Sequence, residues 1–136
     1  MTMHTQTVAI VAAARACVGT RFRAQGRVPG LGLDCVGIAL VAAAAAGVVI
    51  EAPVYALGGD HEAALDGLIV AAGCRRIATA APGDLLSLAP SPGRRHLAVV
   101  TDIGVVHAHA GLARVVEGPL DPGWTVLAAW RLPNKE

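Results

Sequence analysis

The sequence predicts a single α+β domain in which helices come first and an antiparallel sheet of about five strands follows. The first half carries helical signals: a stripe at Ile10, Val11, Ala14, Cys17 and Val18, the alanine-rich run 39–46, and a stripe at Ala64, Leu65, Leu68, Ile69 and Ala72. From Ala81 onward the character changes to short apolar runs separated by turns bearing proline and glycine. Helices followed by strands, rather than alternating with them, separate this class from a parallel-sheet fold. The 136 residues make one domain, 1–136, large enough to bury a core without staples.

The elements follow in order. The first stripe gives a helix over 7–18 with Cys17 in the core. Residues 19–33 are rich in glycine and arginine and contain Pro29, so they predict a long irregular loop, a place where function is often carried. Asp34 is placed to cap a second helix that runs to Ala46 and stops at Gly47. Its composition predicts burial nearly all round. Residues 51–59, with Pro53 and two glycines, read as loop. Asp60 then caps a third helix that Gly73 ends, and Cys74 beyond it is expected to pack. Strands are expected at 84–89, 96–101, 105–109, 112–116 and 126–132, with Asp102-Ile103-Gly104 joining the second and third as a hairpin.

Composition excludes several classes. Eleven Lys+Arg against ten Asp+Glu, a net charge of +1 and 3% aromatic residues give no footprint for nucleic acid. The longest apolar run, 36–50, is too short to span a membrane and is broken by Gly47. The apolar segment 8–14 before Arg15-Ala16-Cys17 lacks the basic region of a secretory signal, so the chain is expected to be made in the cytoplasm without a signal peptide. Three cysteines, Cys17, Cys35 and Cys74, with no C-x-x-C spacing, argue against a disulfide framework and fit a reducing compartment.

Cys35 stands where a polar loop becomes an apolar helix. The partial positive charge of a helix N-terminus favours thiolate over thiol, which makes Cys35 the candidate nucleophile. Such a nucleophile needs an imidazole to take its proton and a third polar group to orient that imidazole. His96 opens a strand, and His107 and His109 share one face of the next. If the two strands pair, either later histidine can sit beside His96. A zinc site from Cys35, His96, His107 and His109 has only His107 and His109 closely spaced, so neither metal nor cofactor is expected.

The pattern resembles the NlpC family of papain-like cell-wall peptidases, and most closely its phage-tail branch. The matching segments run in the family's order: Ala14-Arg15 with Gly19-Thr20, Phe22-Arg23-Ala24-Gln25-Gly26-Arg27, Gly32-Leu33-Asp34-Cys35-Val36-Gly37, Gly83-Asp84-Leu85-Leu86, His96-Leu97-Ala98-Val99-Val100 and Val106-His107-Ala108. The resemblance implies a papain-like NlpC-type domain with Cys35 as nucleophile, His96 as general base and then acid, and His107 as the residue that orients His96. It implies hydrolysis of an amide in the peptide stem of peptidoglycan, typically next to D-glutamate and often before diaminopimelate. It places Phe22, Gln25 and Asp34 in the oxyanion and substrate loop. Many relatives carry a tyrosine hydroxyl where this chain has Phe22, and Gln25 or the Cys35 amide is then left to supply the donor. Peptidoglycan stem peptides and phage or phage-like tail-tip proteins are the partners implied. A structural tail-tip docking protein that keeps the fold with weak or no activity is the alternative, favoured by Phe22 and by the absence of a wall-binding module in these residues.

Overall fold

The computed structural model describes residues 5–51, 62–92, 94–109 and 111–134. Among the described residues three helices, α1 (Thr5–Ala16), α2 (Cys35–Ala45) and α3 (Glu62–Ala71), precede the main sheet. Between α1 and α2 lie two short strands, β1 (Arg27–Val28) and β2 (Gly32–Leu33), paired antiparallel. The main sheet has six strands, β3 (Arg75–Ile77), β4 (Leu85–Ala89), β5 (His96–Val100), β6 (Val105–His109), β7 (Arg114–Gly118) and β8 (Thr125–Arg131), in the spatial order β3-β8-β4-β5-β6-β7. Every neighbouring pair is antiparallel. Helices packed on an antiparallel sheet are thus the architecture, with six strands where about five were expected.

α2 is the central helix. Asp34 caps it, its carboxylate accepting from the Gly37 amide, and Gly47 at φ 72° lets the chain turn back, with the Val48 amide on the Ala43 carbonyl. Its first turns are almost wholly buried against α1 and β5, while Ala44 and Ala45 emerge into solvent. α1 contributes Ile10, Val11 and Ala14 to the same core, and Cys17, just past its end, is fully buried. Val18, expected on that stripe, is instead exposed, because the helix has ended at Ala16 and the chain turns away. On α3, Ile69 is buried and Leu68 packs beside it. The expected cap Asp60, most of the expected loop 51–59, and the Ala64 and Leu65 side chains lie outside the described residues.

The sheet is apolar on both faces. Leu85, Leu97, Val99, Val106 and Trp130 meet the helices, while Leu86, Leu88, Ala98, Val105 and Ala129 form a second layer on the other face with Trp124 and Leu120. Residues 19–33 are more ordered than the loop expected. Besides β1 and β2, the segment 19–22 lies along the edge of β7, with the Gly19 amide on Val115 O, the Val115 amide on Thr20 O and the Phe22 amide on Ala113 O. It covers an edge that would otherwise present unpaired backbone groups. β7 starts two residues later than expected: His109 Nδ1 accepts from the Leu112 amide and Ala113 sits at φ 55°, so residues 111–113 form the turn.

At the remote end of the sheet, Arg15 clasps Glu117 through Nε (3.1 and 3.0 Å) and also pairs with Asp102, fixing α1 to the β5–β6 hairpin and β7.

Candidate active site

Cys35 is the first residue of α2, and its surroundings follow from the cap before it. Asp34, buried at 2% exposure, accepts from the Gly37 amide at 2.8 Å, the Gln25 amide at 2.7 Å and Arg27 Nη1 at 3.1 Å. One carboxylate therefore holds the helix start and the preceding loop together. The packing behind it is close: a Cβ on Gly37 would stand 2.1 Å from Gly26 O, and one on Gly26 would stand 2.5 Å from Gly32. Only glycine fits either place. Because Asp34 caps at Gly37, the Cys35 and Val36 amides are left to act on the Cys35 sulfur.

A third amide, on the sheet, favours the charged form of the sulfur. Pairing of β5 with β6 extends over Val99–Val106 and Val100–Val105, so in register Leu97 stands beyond its end. The strand's alternation directs the amides of Val100 to β4 and of Thr101 to the β6 side, and Leu97 has the parity of Thr101. Its amide acts on the Cys35 sulfur instead of a β6 carbonyl.

His96 begins β5 and belongs to the same small cleft as Cys35, whose walls also include Asp66, Ser87, Leu97 and Leu127. Leu127 is there because β8 bulges: Ser87 pairs with Ala128 and Leu88 with Val126, which leaves Leu127 as the extra residue. Ser87 receives the Trp130 Nε1–H at 3.1 Å and stands 3.4 Å from Asp66 Oδ1.

The two later histidines are separated by geometry that sequence could not supply. His107 Nδ1 lies 3.0 Å from His96 Nε2, with the ring centroids 5.1 Å apart and nearly perpendicular. His109 is on the same face but one step further along, 5.9 Å from the His107 ring, where its Nδ1 accepts from Leu112. Trp124 closes over both members of the pair, edge-on at 5.3 Å from each. Sequence reasoning missed Trp124, Asp66, Ser87 and Leu127. A tryptophan in a Pro-Gly turn carried a weak signal, and the other three carried none.

The resting charge state differs from the expectation of a thiolate. Burial, reinforced by the Asp34 carboxylate, outweighs the three amides and pushes the Cys35 thiol up to about 11. Burial also pushes His96 down to about 4, with the neighbouring His107, Arg94 and His109 acting in the same direction. His107 is lowered too, first by burial. The thiol and imidazoles are therefore neutral at pH 7, and Cys35 and His96 face their cleft without a direct hydrogen bond. Cys17 and Cys74 are buried in the core, away from these histidines.

Phe22 is half-buried against the helix-side core and bridges to Leu33, two residues before Cys35. Gln25, at φ 59°, is held through its amide by Asp34. Neither residue belongs to the cleft wall. The matched Gly83-Asp84 pair lies at the other end of the sheet, where Asp84 binds Arg131 with two hydrogen bonds, 3.0 and 2.9 Å, and receives the Ala81 amide. A cavity of about 480 Å³ is there as well, walled in part by Asp84, Arg131 and Gln6, and no cysteine or histidine lines it. Among the described residues no group of three His, Cys, Asp or Glu is placed to hold a metal ion, and no helix is long and apolar enough to cross a membrane.

No protein-family model matches the sequence, and no curated protein matches it. Solved structures do. NlpC2 from Trichomonas vaginalis superposes with a TM-score of 0.72 at 15% identity over 96% of this chain, and NlpC1 from the same organism with 0.67 at 13% identity over 96%. The P60 domain of an antigen from M. avium subspecies paratuberculosis gives 0.63 at 22% identity, covering 93% of this chain and 94% of that one. The chain spans about half the length of the two Trichomonas proteins, 48% and 45%. With its helices, its antiparallel sheet and nearly its whole length superposed on these structures, the chain has the fold of NlpC/P60 domain proteins.

Proposed function

We propose that this protein is a cysteine peptidase that hydrolyses amide bonds in the peptide stems of peptidoglycan. The observation that carries the reading is the 3.0 Å contact between His96 Nε2 and His107 Nδ1, with His96 lining a cleft that also contains Cys35. If the Nε2–H of His96 donates to His107, Nδ1 of His96 is left unprotonated and able to take the thiol proton. A neutral His107 is the acceptor this requires, and its burial keeps it neutral.

The sulfur then attacks the scissile carbonyl, and the oxyanion is met by the Cys35 amide. Collapse breaks the C–N bond as His96 returns its proton to the leaving nitrogen. Water, deprotonated by the same imidazole, hydrolyses the thioester and restores the thiol. Starting from a neutral pair, substrate must bring sulfur and imidazole together, since catalytic hydrogen bonds often tighten only in the bound complex. Phe22 offers no hydroxyl to the oxyanion, so the backbone amide carries more of that charge.

The motif resemblance to the phage-tail branch supports placement of this activity on the tail tip of a phage or phage-like particle, acting at the bacterial wall. Phe22 and the neutral resting pair favour a second reading, a tail-tip docking protein with weak activity. Digestion of purified peptidoglycan, with the products identified by mass, tests the first reading. New stem-peptide termini that disappear in Cys35→Ala are expected, and no release by folded protein would favour the docking role.

A further inference from the structure

The cavity beside Asp84 takes no part in the chemistry at Cys35. Its volume of about 480 Å³ suits a small organic ligand, and its walls come from α1, the start of β3, the turn before β4 and the segment after β8. Leu88 pairs with His96, so Asp84, four residues back toward the start of β4, lies on the order of 13 Å from that position along the strand. The two sites are separate. Arg75 and Arg131 both line the cavity and are direct partners in the β3–β8 register, a relation in which like charges repel unless an anion offsets them. Asp84 serves only Arg131. It accepts from Arg131 Nε and Nη2 at 3.0 and 2.9 Å and from the Ala81 amide at 2.8 Å, which fixes the guanidinium and leaves its Nη1 without a hydrogen bond among the described residues. The Arg75 side chain, exposed, makes no ion pair among those residues. Two cations against one carboxylate leave the wall with one unmatched positive charge.

The remaining wall includes Ile10, Pro82 and Leu132, and the rim is already tied by Gln6 Nε2, which donates to Pro133 O at 2.9 Å. We infer that this cavity is a binding site for a small organic acid, its carboxylate held between Arg75 and Nη1 of Arg131 and its apolar body against Ile10, Pro82 and Leu132. The inference is independent of the peptidase reading. A guanidinium whose orientation Asp84 has fixed donates to a carboxylate with little further loss of side-chain freedom, and the anion also relieves the repulsion between the paired arginines. An amide or amine in the same place would do neither. The bound acid would also bridge β3, an edge strand of three residues, to α1.

The test titrates isotope-labelled protein with N-acetyl-L-leucine and with N-acetyl-L-leucinamide, which differ only at the carboxylate, and follows the backbone amides by NMR. The acid is expected to bind with a Kd in the low millimolar range, the scale of a ligand of about a dozen heavy atoms. It should shift the amides of Gly73, Arg75, Gly83 and Arg131 and leave those of Cys35 and His96 in place. The amide probe should bind roughly tenfold more weakly or worse, the scale of one charge-assisted contact, and Arg75→Gln should bring the two probes to within about threefold. Equal binding of the probes, shifts centred on His96, an acid affinity unchanged in folded Arg75→Gln, or no shift at about ten times the expected Kd would each overturn the inference. N-acetyl-Gly-Gly-L-leucine presents the same terminus on a longer chain: weaker binding than N-acetyl-L-leucine supports a site for a small acid, and tighter binding would reassign the cavity to a peptide C-terminus.

Discussion

Alkylation of Cys35 across the pH range separates two ways of activating a thiol. A helix N-terminus alone predicts a thiolate at neutral pH, whereas desolvation of the half-buried Cys35, with the Asp34 carboxylate beside it, pushes the thiol up to about 11. At pH 7 that leaves roughly one sulfur in ten thousand ionised, against roughly one in a hundred for a thiol near 9. Labelling with iodoacetamide, followed by mass spectrometry of the cysteine peptides, should therefore give a Cys35 rate that climbs about tenfold per pH unit from 7 to 10. Cys35 should still label ahead of Cys17 and Cys74, because it faces a cleft while they are 0% and 6% exposed. His96→Ala should change the profile little, since a neutral imidazole near 4 contributes no charge to lose. A rate already at its plateau by pH 6, abolished by His96→Ala, would show a resting thiolate–imidazolium pair and refute the neutral-pair reasoning.

Three further outcomes follow from the same geometry. His107→Ala should lower turnover on peptidoglycan by about two orders of magnitude, the scale of impaired acid–base chemistry, while His109→Ala has a small effect on kcat because its Nδ1 serves Leu112; the reverse ranking in folded variants would exchange their roles. Gly37→Ala should cost about 3 kcal/mol or more in urea unfolding, since its methyl would meet Gly26 O at 2.1 Å, and a loss below about 1 kcal/mol would mean the loop yields freely. Acid should destabilise the fold: with His96 held near 4 and free imidazole near 6.5, only the unfolded chain takes up that proton between those values. Stability should therefore be full above pH 6.5 and fall by up to about 3 kcal/mol by pH 4, read from urea midpoints, with a smaller fall in His96→Gln.

How much of this was legible depended on whether the signal was local. α2 was readable because Asp34 and Gly47 punctuate it, and the shared face of His107 and His109 followed from strand alternation. β3 was not, since Arg75-Arg76-Ile77 has no alternation and becomes a strand only by pairing with β8. β7 was misplaced because Leu112 looked like a strand residue, yet it is 61% exposed in the turn. β1 and β2 were below any sequence signal at two residues each. Choosing His107 over His109 needed family resemblance in sequence and an actual distance in space. The desolvation that raises the Cys35 thiol was not legible, because helix position is written in the sequence and burial is not. Leu127 was hidden for a related reason, since a bulge is a property of two strands at once.

The short reach of the β5–β6 pairing joins the sheet to the reaction. The Leu97 amide favours negative charge on the Cys35 sulfur, so a change of charge at that sulfur changes the field at one backbone proton of β5. Ionisation strengthens that field, and acylation or alkylation weakens it by drawing electron density from sulfur. The amide is thereby a resident reporter: its proton chemical shift follows each chemical state of the nucleophile without a label, a substrate analogue or a substitution anywhere in the site.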